Sequence, residues 1–134
     1  MPLTRISVSN ELFENYQHQI SKILQQCLEK HFDVPRGDCF QMFDVHSPQQ
    51  KVFNQYYPSL TQGRSELGAL FHIFAGKPRS HEQKRALYKA LCEQLQENTA
   101  ISKEDIMVVL QFNEAEDWSF SSGLSWKDVA GKVK

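Results

Sequence analysis

A proline at position two, in Met1-Pro2-Leu3-Thr4-Arg5-Ile6-Ser7-Val8, stands at the head of a segment that reads as a β-strand. Trimming of the initiator methionine before a small residue would leave a secondary amine at the chain terminus, and such an amine can serve as base, acid or nucleophile. Two further groups could act with it. The turn Gly76-Lys77-Pro78-Arg79 carries two cations: an arginine offers a planar fork for a carboxylate, and a lysine offers a point charge. Asp38 supplies a carboxylate that could hold the amine in its ammonium form. Each also fits a plainer role: Lys77 and Arg79 a solvated turn ahead of a helix, Asp38 a turn or capping residue.

What could bring these groups together is an internal repeat. At an offset of 67 residues, half the length of 134, Pro2-Leu3-Thr4-Arg5-Ile6-Ser7-Val8 overlies Ala69-Leu70-Phe71-His72-Ile73-Phe74-Ala75. Ile20, Leu24 and Leu28 then fall on Leu87, Leu91 and Leu95, the stripe of a helix that covers a sheet. Asp38 falls on Asp105, and each aspartate precedes a short apolar run, Cys39–Phe43 and Ile106–Leu110. The chain therefore reads as an α+β domain over 1–134: duplicated β-α-β units, about 2–46 and 69–112, forming a four-stranded mixed sheet with two helices on one face, and an aromatic tail over 113–134. If the halves pair antiparallel about a pseudo-twofold, the turn after Ile73 comes beside Pro2.

Capping signals delimit the helices. Asn10 is expected to cap a helix over about Glu11–Lys30, and Ser80 with Gln83 forms a capping box for a second helix to about Glu97, ended by Asn98. The polar connection Ser47–Glu66, with Phe53, Tyr56, Tyr57, Pro58 and Gly63, is long enough for a functional loop or a subunit contact and could hold a short extra strand.

A net charge of −1 offers no basic field for nucleic acid or an anionic membrane. No run approaches the roughly 18 apolar residues of a membrane span, and the first residues lack a signal-peptide pattern, so a cytoplasmic protein is expected. Cys27, Cys39 and Cys92 read as reduced, mostly buried thiols. His18, His31, His46, His72 and His81 have no metal-ligand spacing, and phosphate-binding glycine loops are absent. A sheet covered on one side only leaves its other face to be buried by oligomerisation.

Pro2, the stretch Val34-Pro35-Arg36-Gly37-Asp38 leading into Gln41, the block Pro78-Arg79-Ser80-His81-Glu82-Gln83-Lys84, and Asp117-Trp118-Ser119-Phe120 together resemble the malonate semialdehyde decarboxylase branch of the tautomerase superfamily. The resemblance spans nearly the whole chain. It implies a tautomerase/MIF-like fold assembled as a homotrimer, without metal or organic cofactor, and a small oxo-acid substrate. It further implies catalysis by Pro2 with Asp38 close by, a substrate carboxylate bound by Lys77 and Arg79, and an apolar wall from Trp118 and Phe120. Family decarboxylases carry arginine at both cationic positions, so Lys77 keeps the charge and loses the fork.

An ammonium at Pro2 could polarise a β-carbonyl or condense with it as an iminium, giving a departing carboxylate an electron sink. The expected activity is thus cofactor-independent decarboxylation of a 3-oxo acid such as malonate semialdehyde, with accompanying tautomerase activity. A neutral amine would instead suit keto-enol tautomerisation of 2-oxo acids of the phenylpyruvate or oxalocrotonate type. Hydration or dehalogenation of unsaturated acids ranks lower, since Trp118–Gly123 has no carboxylate to activate water. A non-enzymatic MIF-like binding protein is the remaining alternative.

Overall fold

The computed structural model describes residues 1–130; the end of the expected aromatic tail, 131–134, lies outside them. β1 (Pro2–Ser9) runs directly into α1 (Asn10–His31), which returns to β2 (Gln41–His46). After a long connection the pattern recurs as β3 (Ala69–Ala75), α2 (His81–Asn98) and β4 (Ile106–Phe112), followed by one helical turn, α3 (Trp126–Val129).

The sheet order is β2-β1-β3-β4, with β1 parallel to β2, β3 parallel to β4, and β1 antiparallel to β3 at the centre. The halves share one register: Thr4 lies opposite Gln41 and Phe71 opposite Val108, each partner displaced by the 67 residues of the sequence repeat. The helical stripes correspond as well. Ile20, Leu24 and Leu28 of α1 and Leu87, Leu91 and Leu95 of α2 are all buried, each side chain contributing on the order of 1.5–3 kcal/mol of burial free energy. They close over Ile6, Val8, Phe71 and Ile73, the strand residues that point to the same face. α1 and α2 also pack against each other, so both helices cover one face of the sheet.

On the other face Arg5 donates from Nε and Nη2 to the Asp44 carboxylate at 3.0 and 2.9 Å, and His72 meets Gln111. Met42 and Val109 stand exposed there. No helix among the described residues is long and apolar enough to cross a membrane.

Several local expectations are corrected. The first helix is capped by Ser9, whose hydroxyl accepts from the Leu12 N–H at 3.1 Å; Asn10 is the first helical residue. A serine suffices because strand and helix abut without a loop, leaving the hydroxyl at the position where the first free N–H groups point. Ser80 and Gln83 do form a reciprocal capping box, and Thr99, one residue after Asn98, ends α2. The strand after Asp38 begins at Gln41, later than the apolar run suggested.

The 47–66 connection contains a 3₁₀ turn at Pro48–Gln50 and no strand. Side chains from the second half hold it in place. Glu104 accepts from the backbone N–H groups of Thr61, Gln62 and Gly63, and the buried Asp105 accepts from the N–H and hydroxyl of Ser65 and of Ser102.

The thiols also divide. Cys27 is buried, Cys92 half-buried and Cys39 exposed, so the sequence expectation of mostly buried thiols overstates their burial. Burial pushes the Cys27 thiol up to about 11, against the opposing charge of Lys30.

Two measurements check this account. Asp105→Ala strands buried donors of Ser65 and Ser102 and should cost about 3 kcal/mol in urea unfolding; a loss under about 1 kcal/mol would mean that the carboxylate does not anchor the connection. Iodoacetamide at pH 8 should label Cys39 before Cys27 in the native protein, read by peptide mass, with the difference gone after unfolding.

Candidate active site

The antiparallel register sets Pro2 opposite Ala75, so the turn Gly76-Lys77-Pro78-Arg79 begins beside the chain terminus. Met1 is in place in the structure, with its side chain only 7% exposed. Its ammonium donates to Asp38 Oδ2 at 2.7 Å, and the carboxylate itself is 19% exposed. A charge pair at this distance and this degree of shielding is stronger than a surface ion pair.

Asp38 is positioned by its own turn. Its N–H donates to the Pro35 carbonyl at 3.0 Å, and Gln25 of α1 donates from Nε2 to the Asp38 carbonyl at 3.2 Å. Gly37 has φ +88° within this turn, a value that a side chain would strain, although a Cβ there would meet nothing. Gly76 poses the opposite constraint. A Cβ at Gly76 would collide with the Met1 methyl group and come within 3.0 Å of Trp118 Nε1. The Met1 side chain is thus lodged against Gly76, close to Trp118.

The tail builds an apolar wall. Asn113 N–H donates to the Ala75 carbonyl at 2.9 Å, and Asn113 Oδ1 accepts from Trp118 Nε1 at 2.6 Å, tying the tail to the end of β3. Trp118 stacks on Phe120 with centroids 5.5 Å apart; Phe120 meets Phe40 and the edge of Trp126, each at 5.3 Å. A cavity of about 640 Å³ opens between this wall and the turn at 35–38, lined by Met1, Asp38, Phe40, Phe120 and Trp126. Arg36 lines it too.

The two expected substrate-binding cations fall elsewhere. Arg79 donates from Nε and Nη2 to the Phe32 carbonyl at 3.0 and 2.7 Å and from Nη1 to the Lys77 carbonyl at 2.7 Å. Its guanidinium also lies 5.1 Å from the centroid of the Phe32 ring. Burial pulls the Arg79 guanidinium below its ordinary value, while the charge of Asp33 pulls the other way. As placed, Arg79 caps the end of α1. Lys77 is exposed and makes no side-chain hydrogen bond or ion pair among the described residues, and neither Lys77 nor Arg79 lines the cavity. No group of three or more His, Cys, Asp or Glu side chains converges as metal ligands among the described residues.

The structure therefore brings together Pro2, Asp38, Trp118 and Phe120 around Met1, with Lys77 at the margin and Arg79 turned to the helix end. Sequence reasoning did not single out Arg36, Gly76, Asn113 or Phe40. Of these only Gly76 carried a local signal, a glycine directly after a strand facing the terminus. The others depend on how the tail folds back.

Comparison with known proteins is consistent along the chain. A family model described as "Tautomerase enzyme" matches residues 38–121. The probable tautomerase YusQ of Bacillus subtilis (strain 168) is 27% identical over 123 residues, covering 92% of this chain and 95% of that protein. A crystal structure of malonate semialdehyde decarboxylase, an enzyme described with decarboxylase and hydratase activities, superposes with a TM-score of 0.86 at 27% identity, covering 98% of this chain and 99% of that one. A fused 4-OT symmetric trimer shares the fold with a TM-score of 0.73 at 17% identity, covering 93% and 96%.

The placement of Arg79 yields a prediction. Arg79→Ala should lower stability by about 1–3 kcal/mol, because the buried Phe32 carbonyl loses both donors, and thermal melting should register it. A variant that melts as the parent does would show that Arg79 does not cap α1.

Proposed function

Because the chain belongs to the tautomerase enzyme family, we propose that it is an enzyme of small oxo acids whose catalytic group is the secondary amine exposed at Pro2 when Met1 is removed, and that its main reaction is decarboxylation of a 3-oxo acid. The observation that carries the reading is the 2.7 Å contact between the Met1 ammonium and the Asp38 carboxylate, which sets that carboxylate one residue from the nitrogen that becomes the chain terminus when Met1 is removed. A carboxylate so close favours the charged form of an amine. A cationic Pro2 is the state that polarises a β-carbonyl by hydrogen-bonding its oxygen, and to condense with that carbonyl it must first give up its proton.

The electron flow is then defined. In one route the ammonium passes a proton to the Asp38 carboxylate, the freed Pro2 nitrogen adds to the C3 carbonyl and water leaves, giving an iminium; in the other the ammonium stays protonated and hydrogen-bonds the carbonyl oxygen. The bond between the carboxylate carbon and C2 breaks, carbon dioxide departs, and the electron pair moves to C2–C3 as the enamine or enol. Protonation at C2, and hydrolysis in the iminium case, release the aldehyde and restore the amine. Alignment of the breaking bond with the acceptor π-system governs the rate, so a cation holding the carboxylate out of the carbonyl plane is required. Lys77, unpaired beside Gly76, suits that position, and the Trp118 and Phe120 wall keeps water away from the reacting carbons.

The assembly proposed for the chain is a trimer, the form of the fused 4-OT structure of the same fold. The half-polar sheet face bearing Met42 and Val109 is the surface such an assembly would cover. If the amine were neutral, the same site would abstract a proton next to the carbonyl of a 2-oxo acid, and tautomerisation would be the principal activity.

The test uses protein whose intact mass shows Met1 removed. Pro2→Ala and Asp38→Asn should each lower kcat/KM for carbon dioxide release from malonate semialdehyde by at least about 100-fold, with unchanged circular dichroism. A nitrogen-15 titration of Pro2 should place its pKa above neutrality in the parent and lower in Asp38→Asn, since removing the carboxylate removes the charge that favours the ammonium. A parent value below about 6 would shift the principal activity to tautomerisation, and full activity in Pro2→Ala would remove the proline from the mechanism.

A further inference from the structure

A residue with a cationic side chain lies near each end of Met1. At the amine end Asp38 is already neutralised by the ammonium, and the cavity beyond it is lined by a single cation, Arg36. Arg36 is exposed and, among the described residues, makes no hydrogen bond or ion pair, although Asp33 and Asp38 are close in sequence. At the methyl end the side chain rests on Gly76, and the next residue is Lys77, also unpaired. Arg79 cannot supply a second charge at either end while its Nε, Nη1 and Nη2 serve Phe32 and Lys77 carbonyls.

We infer that Arg36 is a second carboxylate-binding residue of this site, so that the preferred substrate is a short-chain oxo acid carrying two carboxylates, one received near Lys77 and the other by Arg36. This rests on the oxo-acid reading above and specifies its substrate class. Three features support it. The site without substrate, counting the terminal ammonium, Asp38 and Arg36, retains one positive charge in the cavity and a further one at Lys77, and a dianion balances both. Arg36 borders the same cavity as the apolar side chains Phe40, Phe120 and Trp126, so a carboxylate entering there meets one side-chain cation, with a planar fork suited to it. The cavity, at about 640 Å³, far exceeds the needs of a three-carbon acid, and the volume that Met1 vacates adds to it.

Arg36 does not touch the reacting atoms in this scheme. It fixes the remote end of the substrate, and its loss should appear in KM for diacids more than for monoacids.

The experiment has two arms on protein lacking Met1. Binding of the unreactive acids glutarate and butyrate is followed by fluorescence of Trp118 and Trp126, and turnover is followed on oxaloacetate and malonate semialdehyde. The parent should bind glutarate at least about tenfold more tightly than butyrate, and Arg36→Ala should erase that difference. Arg36→Ala should raise KM for oxaloacetate at least about tenfold, several-fold more than it raises KM for malonate semialdehyde, and Arg36→Lys should recover part of the loss. Equal binding of the two acids by the parent, or a loss in Arg36→Ala that is the same for mono- and diacids, would overturn the inference. Absence of turnover with every oxo acid would count against the proposed function, while the binding arm would still decide the role of Arg36.

Discussion

The antiparallel pairing of β1 with β3 is the constraint on which the site depends. Each half of the chain, taken alone, is a parallel β-α-β unit whose strand ends point the same way, and neither places a strand start beside a strand end. Pairing β1 against β3 does so once, setting Pro2 opposite Ala75 and bringing the chain terminus against the turn that follows β3. The same seam merges the two helical layers, so that Ile6 and Phe71 from adjoining strands share one core under α1 and α2. A one-residue slip in this pairing would turn Ile6 and Val8 to the uncovered face and move the terminus away from Gly76.

The two halves agree in register and differ in how they use the turn after the helix. In the second half the chain continues upstream of β3, and Ser65 from that upstream segment fills the carboxylate of Asp105, while Glu104 gathers the N–H groups of residues 61–63. Despite desolvation that pushes it upward, the bonds from Gly63, Thr61 and Gln62 hold the Glu104 carboxyl below its ordinary value. In the first half, among the described residues, no such segment fills the turn, and Met1 alone reaches its carboxylate. The position of Glu104 is taken by Gly37, and the carboxylate of Asp38 receives the terminal ammonium. One turn of the repeat thus serves as an anchor for the 47–66 connection in the second half and as the partner of the Met1 ammonium in the first. The plain reading of these aspartates as turn residues holds for Asp105, and the geometry of Asp38 differs for a topological reason.

Much of this was legible in the residues. The 67-residue offset carried the strand pairing, the buried stripes of both helices and the correspondence of Asp38 with Asp105, because a periodic apolar pattern under a covered sheet leaves little freedom of register. The capping box at Ser80 was readable for the same local reason. What escaped sequence reasoning was decided by distant contacts. Nothing near Arg79 in sequence indicates that its guanidinium will find the Phe32 carbonyl 47 residues away. Ser9 displaced Asn10 as cap because the loop between β1 and α1 has zero length, a boundary that propensity does not resolve. The cavity wall depends on the tail folding back so that Trp126 N–H reaches the Trp118 carbonyl at 2.8 Å, in a segment with no periodicity to read.

Met1 itself outlines what the site accepts. Its amine takes the Asp38 carboxylate, its thioether fills the space between Gly76 and Trp118, and the two together occlude the position from which Pro2 would act. The side chain of Met1 shows that a slim, flexible apolar group fits against Gly76. Removing it exposes the amine and, in the same step, empties the volume in which that amine can react. Gly76 therefore has a reason to lack a side chain in both states: a Cβ would strike the methionine before trimming, and afterwards it would still crowd Trp118 Nε1 beside the place that Met1 had filled.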